Sequence, residues 1–233
     1  MVSVYHIRYW VILPLLAAST LAFGGQKELN QAMHSSIKNR DLASLKKTLD
    51  GGANPNARDN DGVTALMNAA RYSKGGATAL LLEKGASPNR AIKNGRTALF
   101  FAANEGTGGS TKKLIEAGAK VGIRDANGQT ALMVAVRKRN WPAALEIAPA
   151  AAKNKSINVR DNTGQSAIDY LISDLSARNT KQAMAVFTVL LASGAKIGVR
   201  GDPQGAFNKA CPYGISQDHF CNVFYSTVQQ QTR

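Results

Sequence analysis

Gly62-Val-Thr-Ala-Leu66, Gly95-Arg-Thr-Ala-Leu99, Gly128-Gln-Thr-Ala-Leu132 and Gly164-Gln-Ser-Ala-Ile168 spell one phrase four times, at intervals of 33, 33 and 36 residues. A second phrase trails it: Leu81-Leu-Glu-Lys-Gly-Ala86, Leu114-Ile-Glu-Ala-Gly-Ala119 and Leu190-Leu-Ala-Ser-Gly-Ala195, with Leu49-Asp-Gly-Gly-Ala53 as an upstream cousin. Two signals locked to one period predict a tandem array of small units, each unable to bury its apolar face alone.

The residue types inside the phrases suit a helix-turn-helix unit. Thr64, Thr97, Thr130 and Ser166 precede Ala-Leu or Ala-Ile, where a hydroxyl can accept from the free amides of a first helical turn. Ala69-Ala70 and Ala102-Ala103 keep that helix slim, while Leu66, Leu99, Leu132, Leu80, Leu81, Leu82 and Leu114 are the expected shared core. Gly85, Gly118 and Gly194 are expected to end the second helix in the left-handed conformation. Asp59, Asp125 and Asp161, each three residues before the phrase's Gly, suit the turn of a projecting hairpin.

These phrases resemble the ankyrin repeat family, and the resemblance covers about residues 28–200. It implies an all-α solenoid of helix-turn-helix units with β-hairpin fingers, capped at both ends, whose role is non-enzymatic protein binding. The expected organisation is a signal peptide over 1–24, an N-terminal capping repeat over 25–58, repeats over 59–91, 92–124, 125–160 and 161–201, and a C-terminal cap or extension over 202–233. Leu29 to Leu49 lacks the opening phrase, and Asn30, His34, Lys38 and Arg40 are read as the polarity of an outer face. The fourth unit carries three extra residues, with Pro142 near the start of its second helix and Pro149 within it. Asn154 falls by count on the glycine seat, where it would deputise in the left-handed conformation. The fifth unit is seven residues longer between its two glycines, an insertion assigned to Ser173–Thr180. Asp202-Pro-Gln-Gly205 begins the hairpin spelling again before Ala206 to Arg233 loses it.

Residues Met1 to Arg8 carry Arg8, His6 and no acid ahead of the apolar run Tyr9–Ala22, which holds Pro14 and gives way to Phe23-Gly24-Gly25. That is a secretory layout, too short for a spanning helix, with cleavage expected after Ala22 or Gly24. The predicted location is periplasmic or secreted. With 29 basic against 15 acidic residues the chain has a formal charge of +14; only Arg8 of those cations lies in the leader, so the exported chain remains strongly basic. Such a balance favours acidic partners and says nothing about fold.

For catalysis the inventory is thin. The chain has three His, at 6, 34 and 219, and neither a nucleophile elbow nor a phosphate loop. Cys211, His219 and Cys221, beside Asp218, admit three readings. A disulfide between Cys211 and Cys221 leads, because export places both thiols in an oxidising compartment; a zinc site lacks paired ligand spacing; a Cys–His nucleophile lacks an orienting residue. No cofactor or metal is expected, and Trp141 and Tyr170 read as packing residues.

By the family resemblance, partners lie across the hairpin tips and exposed ends of the first helices, on a concave face. Carried over unit by unit, this selects Arg58, Asn60, Asp61, Val63, Arg71 and Tyr72; then Lys93, Asn94, Arg96, Asn104 and Glu105; then Arg124, Asn127, Gln129, Arg137 and Lys138; then Arg160, Asn162, Gln165, Ser173 and Asp174. Arg58, Arg124, Arg160 and Arg200 share one register, with Ala91 as the gap. They line up either as a cationic stripe for an acidic protein or as partners of Asp59, Asp125 and Asp161 that merely solvate the hairpins. Few aromatics interleave with the cations, which argues against nucleic acid. The expected molecule is a monomer that binds a protein, with neutralisation of a periplasmic toxin or enzyme as the sharper alternative.

Overall fold

The computed structural model describes residues 25–73, 75–106, 108–174 and 180–196, with the single positions 222 and 226. The leader, Arg200, Asp202–Gly205, Cys211, Asp218, His219, Cys221 and the C-terminal cap all lie outside the described residues, as does most of the Ser173–Thr180 insertion.

Within residues 25–196 ten helices follow one another among the described residues: α1 over 25–38, α2 Leu42–Asp50, α3 Ala65–Tyr72, α4 Gly76–Glu83, α5 Ala98–Glu105, α6 Gly108–Glu116, α7 Ala131–Arg137, α8 Trp141–Lys153, α9 Ala167–Asp174 and α10 Thr180–Ala192. The first helices α3, α5, α7 and α9 stack in one layer; the second helices α2, α4, α6, α8 and α10 stack in the other, and the pairs α3–α4, α5–α6, α7–α8 and α9–α10 pack across the seam. None of the helices among the described residues is long and apolar enough to cross a membrane.

The seam is filled as the spelling requires. Leu66, Leu99, Leu132 and Ile168 are buried at the same place in successive first helices, and Leu81, Leu114, Ile147 and Leu190 answer from the second layer. Leu80 and Leu82 are only half-buried, so Leu81 alone of that triplet is fully interior. Each such burial stabilises by roughly 1.5–3 kcal/mol. The alanine pairs Ala69-Ala70 and Ala102-Ala103 have no exposed surface, which lets neighbouring first helices approach closely.

Helix starts divide. Thr64 and Thr130 accept from the amides of Met67 and Met133 at 3.3 and 3.4 Å. Ser166 donates to the Asp169 carboxylate at 2.8 Å and accepts from its amide at 3.4 Å, a reciprocal cap of the Ser-x-x-acid kind. Thr97, expected to do the same, makes no side-chain cap bond. Two caps went unread in the sequence: Asp41 accepts from the Ser44 amide at the start of α2, and Asn140 from that of Ala143 at the start of α8.

Helix ends follow the glycines at Gly85, Gly118 and Gly194, with φ of 85°, 80° and 82°. The fourth unit departs. Asn154 has φ −97°, and it is Lys155, at φ 62°, that takes the left-handed seat. Its neighbour Ser156 donates its amide to Ala151 O, as Ala86 does to Leu81 O. One residue is missing between this seat and Asp161 relative to the other units, so counting backward from the aspartate lands one place early. The extra residues of the fourth unit lengthen α8 to 13 residues. Pro149 is exposed there beside exposed Leu145, where water can take the carbonyl that a proline nitrogen cannot satisfy.

The loops between units are tight turns. In all four, the residue three before the glycine accepts from the glycine amide and donates its own amide to the residue after the glycine: Asp59 with Gly62 and Val63, Ile92 with Gly95 and Arg96, Asp125 with Gly128 and Gln129, Asp161 with Gly164 and Gln165. The glycines hold φ between 74° and 82°, a turn closed by a left-handed residue. Among the described residues, strand pairing is limited to the isolated antiparallel bridges Arg58–Thr64 and Arg124–Thr130, less than the hairpin fingers expected.

Candidate functional site

Each loop aspartate divides its two carboxylate oxygens between building the turn and gripping a side chain of a first helix or of the preceding loop. Oδ1 of Asp59 accepts from the amides of Asp61 and Val63, that of Asp125 from Asn127 and Gln129, and that of Asp161 from Thr163 and Gln165. Oδ2 then turns to a side chain: Asn68 of α3 for Asp59 at 2.9 Å, Arg96 of the preceding loop for Asp125 at 3.0 Å, and the Tyr170 hydroxyl of α9 for Asp161. Burial alone would raise the Asp161 pKa, but the hydroxyls of Thr163 and Tyr170 and the amides of Gln165 and Thr163 overcome it and hold the pKa down to about 2.

Two clusters cross from unit to unit on this face. In the first, Arg71 at the end of α3 bonds Glu105 of α5 at 2.7 Å, and its guanidinium lies 5.6 Å from the Tyr72 ring centre and 5.5 Å from that of Phe101. Asn104 donates to the same Glu105 oxygen. In the second, Arg137 of α7 donates to Gln129 at 2.8 Å and lies 5.3 Å from the Tyr170 ring centre; Gln129 in turn donates to Tyr170 at 3.2 Å and Asp161 at 3.4 Å. A guanidinium over an aromatic face is attracted by the ring quadrupole, so both arginines are held in place rather than waving in solvent. Tyr170 is thus more than packing, and Gln129, expected at the surface, is buried at the centre of its network.

The arginine register behaves differently from both expectations. Arg58 donates to Gly62 O at 2.5 Å and Ala91 O at 2.9 Å; Arg124 donates to Gly128 O at 3.0 Å and Arg160 O at 2.9 Å; Arg160 donates to Gly164 O at 2.5 Å and pairs with Asp169 at 3.0 Å. Asp59, Asp125 and Asp161 are not their partners. Each guanidinium clamps the carbonyl of its own turn's glycine, and the first two reach the next unit's backbone with the other nitrogen, a use of the planar fork that lysine does not offer. Where Ala91 leaves a gap, Arg90 reaches back to Asn56 O at 2.9 Å.

Around these fixed groups sit the exposed ones. Asn60, Asp61, Lys93, Asn94, Asn127 and Lys138 are exposed on the turns and the end of α7. Lys93 and Lys138 make no ion pair among the described residues. Arg200, expected to continue the register, lies outside the described residues, as do Cys211 and Cys221. Among the described residues no group of three or more His, Cys, Asp or Glu is arranged to hold a metal.

A ladder of asparagines binds the units together and was not read from the sequence. Asn56 donates to Gly85 O and accepts from the Ser87 amide; Asn89 does the same with Gly118 and Lys120, and Asn158 with Gly194 and Lys196. Their recurrence at 33 residues between Asn56 and Asn89 was the available signal. Gly122 occupies the rung between the third and fourth units, and there a Cβ would press on Ser156 at 3.2 Å.

Residues 32–125 match the family described as ankyrin repeats, in three copies, and no curated protein matches the chain. Ankyrin repeats are generally protein–protein interaction modules. Residues 32–125 are thus ankyrin repeats, and the same aspartate-built turn, capped first helix and left-handed helix stop recur through the fourth and fifth units beyond the matched span.

Proposed function

We propose that this protein is an exported, non-enzymatic binding module, active in a bacterial periplasm or after secretion, that recognises an acidic protein through the face shared by its loops and first helices. The observation that carries the reading is the pair of pre-positioned cation–aromatic clusters, Arg71–Phe101–Tyr72 and Arg137–Tyr170, together with exposed Lys93 and Lys138, which form no ion pair among the described residues. Groups already fixed in the free protein lose little side-chain entropy on docking. Arg and aromatic side chains are also those that anchor protein interfaces. The excess of basic over acidic residues favours encounter with a partner of opposite sign. Export rests on the leader layout, capping at both ends on the family resemblance, and a bridged Cys211–Cys221 tail on the oxidising compartment that export implies.

The test is site-specific photocrosslinking in cells from positions 104 and 138, with Lys93→Glu/Lys138→Glu as the paired variant. The expected result is one stoichiometric protein of acidic surface, lost in the charge-reversed variant. Recovery of no protein, or of the same set from a position on α8, overturns the reading. Neutralisation of a toxin or enzyme is the narrower version: the captured protein then has an activity that the purified chain inhibits at one-to-one stoichiometry.

A further inference from the structure

Helix α1 runs beside the first turn, and between them lies a polar cavity of about 620 Å³, within the range of ligand-binding clefts. One face of α1, Lys27, Gln31, His34 and Lys38, forms one wall at helical spacing, and Arg58 and Asp59 form the other. His34 is 6% exposed, which corrects its reading as part of a polar outer face. Neither ring nitrogen has a hydrogen bond of good geometry among the described residues, although most buried polar atoms are paired, and the Ala57 backbone is the one hydrogen-bonding influence on the ring. An imidazole so placed has room for a further polar partner.

The charge of the cavity says which partner. Among those six residues Lys27, Lys38 and Arg58 are cationic and Asp59 is the one acid. Asp59 is already engaged by two amides of its own turn and by Asn68, and Arg58 by two carbonyls. The lysines are exposed and form no ion pair among the described residues. Eleven residues of helix separate them, about 16 Å at 1.5 Å per residue, which an extended peptide of about five residues spans.

We propose that this cavity seats an acidic peptide segment of the partner, its carboxylates held between Lys27 and Lys38 with one placed over the His34 ring. The site extends the binding face onto the first unit and rests on the reading that the partner is an acidic protein. Burial holds the His34 pKa below its ordinary 6.5, with Lys38 adding to this and Asp59 and the Ala57 backbone opposing it. A carboxylate arriving over the ring favours the protonated form, so binding takes up a proton and strengthens as pH falls.

N-acetyl-hexaglutamate amide is the probe, added to the full chain while the His Cε1–H resonances are followed by NMR; His34→Gln assigns one of the three histidines. The expected result is a saturable shift of the His34 resonance, an upward move of its titration midpoint, and binding at pH 5.5 several-fold tighter than at pH 7.5. In the Lys27→Gln/Lys38→Gln variant, whose changes are exposed, affinity falls about tenfold while the free His34 midpoint rises only by the loss of the Lys38 charge. A His34 titration unaffected by saturating peptide overturns the proposal, as does full affinity in the lysine variant. Free glutamate matching hexaglutamate at equal carboxylate concentration overturns the assignment to a peptide. A partner captured from positions 104 and 138 with no response at His34 sinks this site and leaves the proposed function standing.

Discussion

Asp161 shows how one side chain can carry two levels of structure. One oxygen closes its turn and the other anchors Tyr170, so the carboxylate is worth most when ionised. Its pKa is depressed from 3.8 to about 2; the stability it contributes is therefore complete above the unfolded value and is lost as pH falls from about 4 through about 2. The amount is about 2 kcal/mol. Urea titrations at pH 6 and pH 2.5 are expected to show a smaller acid-induced loss in Asp161→Asn than in the parent, with the variant already weaker at pH 6. His34 runs the opposite chemistry. Its folded pKa lies below 6.5 because of burial, so its neutral form stabilises the fold above that value and the contribution is lost as pH falls through the interval beneath it. The urea midpoint of the full chain is expected to drop between pH 7.5 and pH 5, and His34→Gln to lessen that drop.

At the scale of the element, the four opening phrases look interchangeable and are not. Thr64 and Thr130 each satisfy a first-turn amide, whereas Thr97 does not. Thr64→Ala is expected to cost about 1 kcal/mol and Thr97→Ala distinctly less, read as chemical-denaturation midpoints. The spelling predicts a helix start in all four cases because the hydroxyl is in the right place in the chain; at Thr97 the Phe100 amide that the hydroxyl would cap donates instead to the Thr97 carbonyl at 3.0 Å. The left-handed seats divide the same way. Glycine was legible at Gly85 and Gly118, but Lys155 was missed because the short turn after it shifts the count by one residue.

Across the whole molecule the units are coupled through contacts that the period predicts only in kind. Gly106 ends α5 with φ −78° and ψ −178°, a conformation open to any residue, yet a Cβ there would lie 2.5 Å from Ala70 O of the preceding unit and 2.6 Å from Ala102. The Gly106 carbonyl, with those of Ala102 and Ala103, also receives Asn140 from the following unit. Gly106→Ala is expected to destabilise by more than 2 kcal/mol and to break the cooperativity of unfolding. Gly85→Ala, where φ is +85° but the space is open, is expected to cost only about 1 kcal/mol; differential scanning calorimetry separates a broadened transition from a shifted one. The repeat period, the helix order, the core positions of Leu66, Leu81, Leu99, Leu114 and Leu132 and the turn aspartates follow from the sequence alone, because each depends on residues within one unit and recurs in the next. Tertiary structure alone decided that the register arginines, though exposed, clamp backbone carbonyls, that Gln129 and His34 are interior, and that Arg71 and Arg137 lie against aromatic rings. Those outcomes depend on which donor meets which acceptor, within a turn as at Arg58 and Gly62 or a repeat away as at Arg137 and Tyr170, and a periodicity reports only that such positions are neighbours.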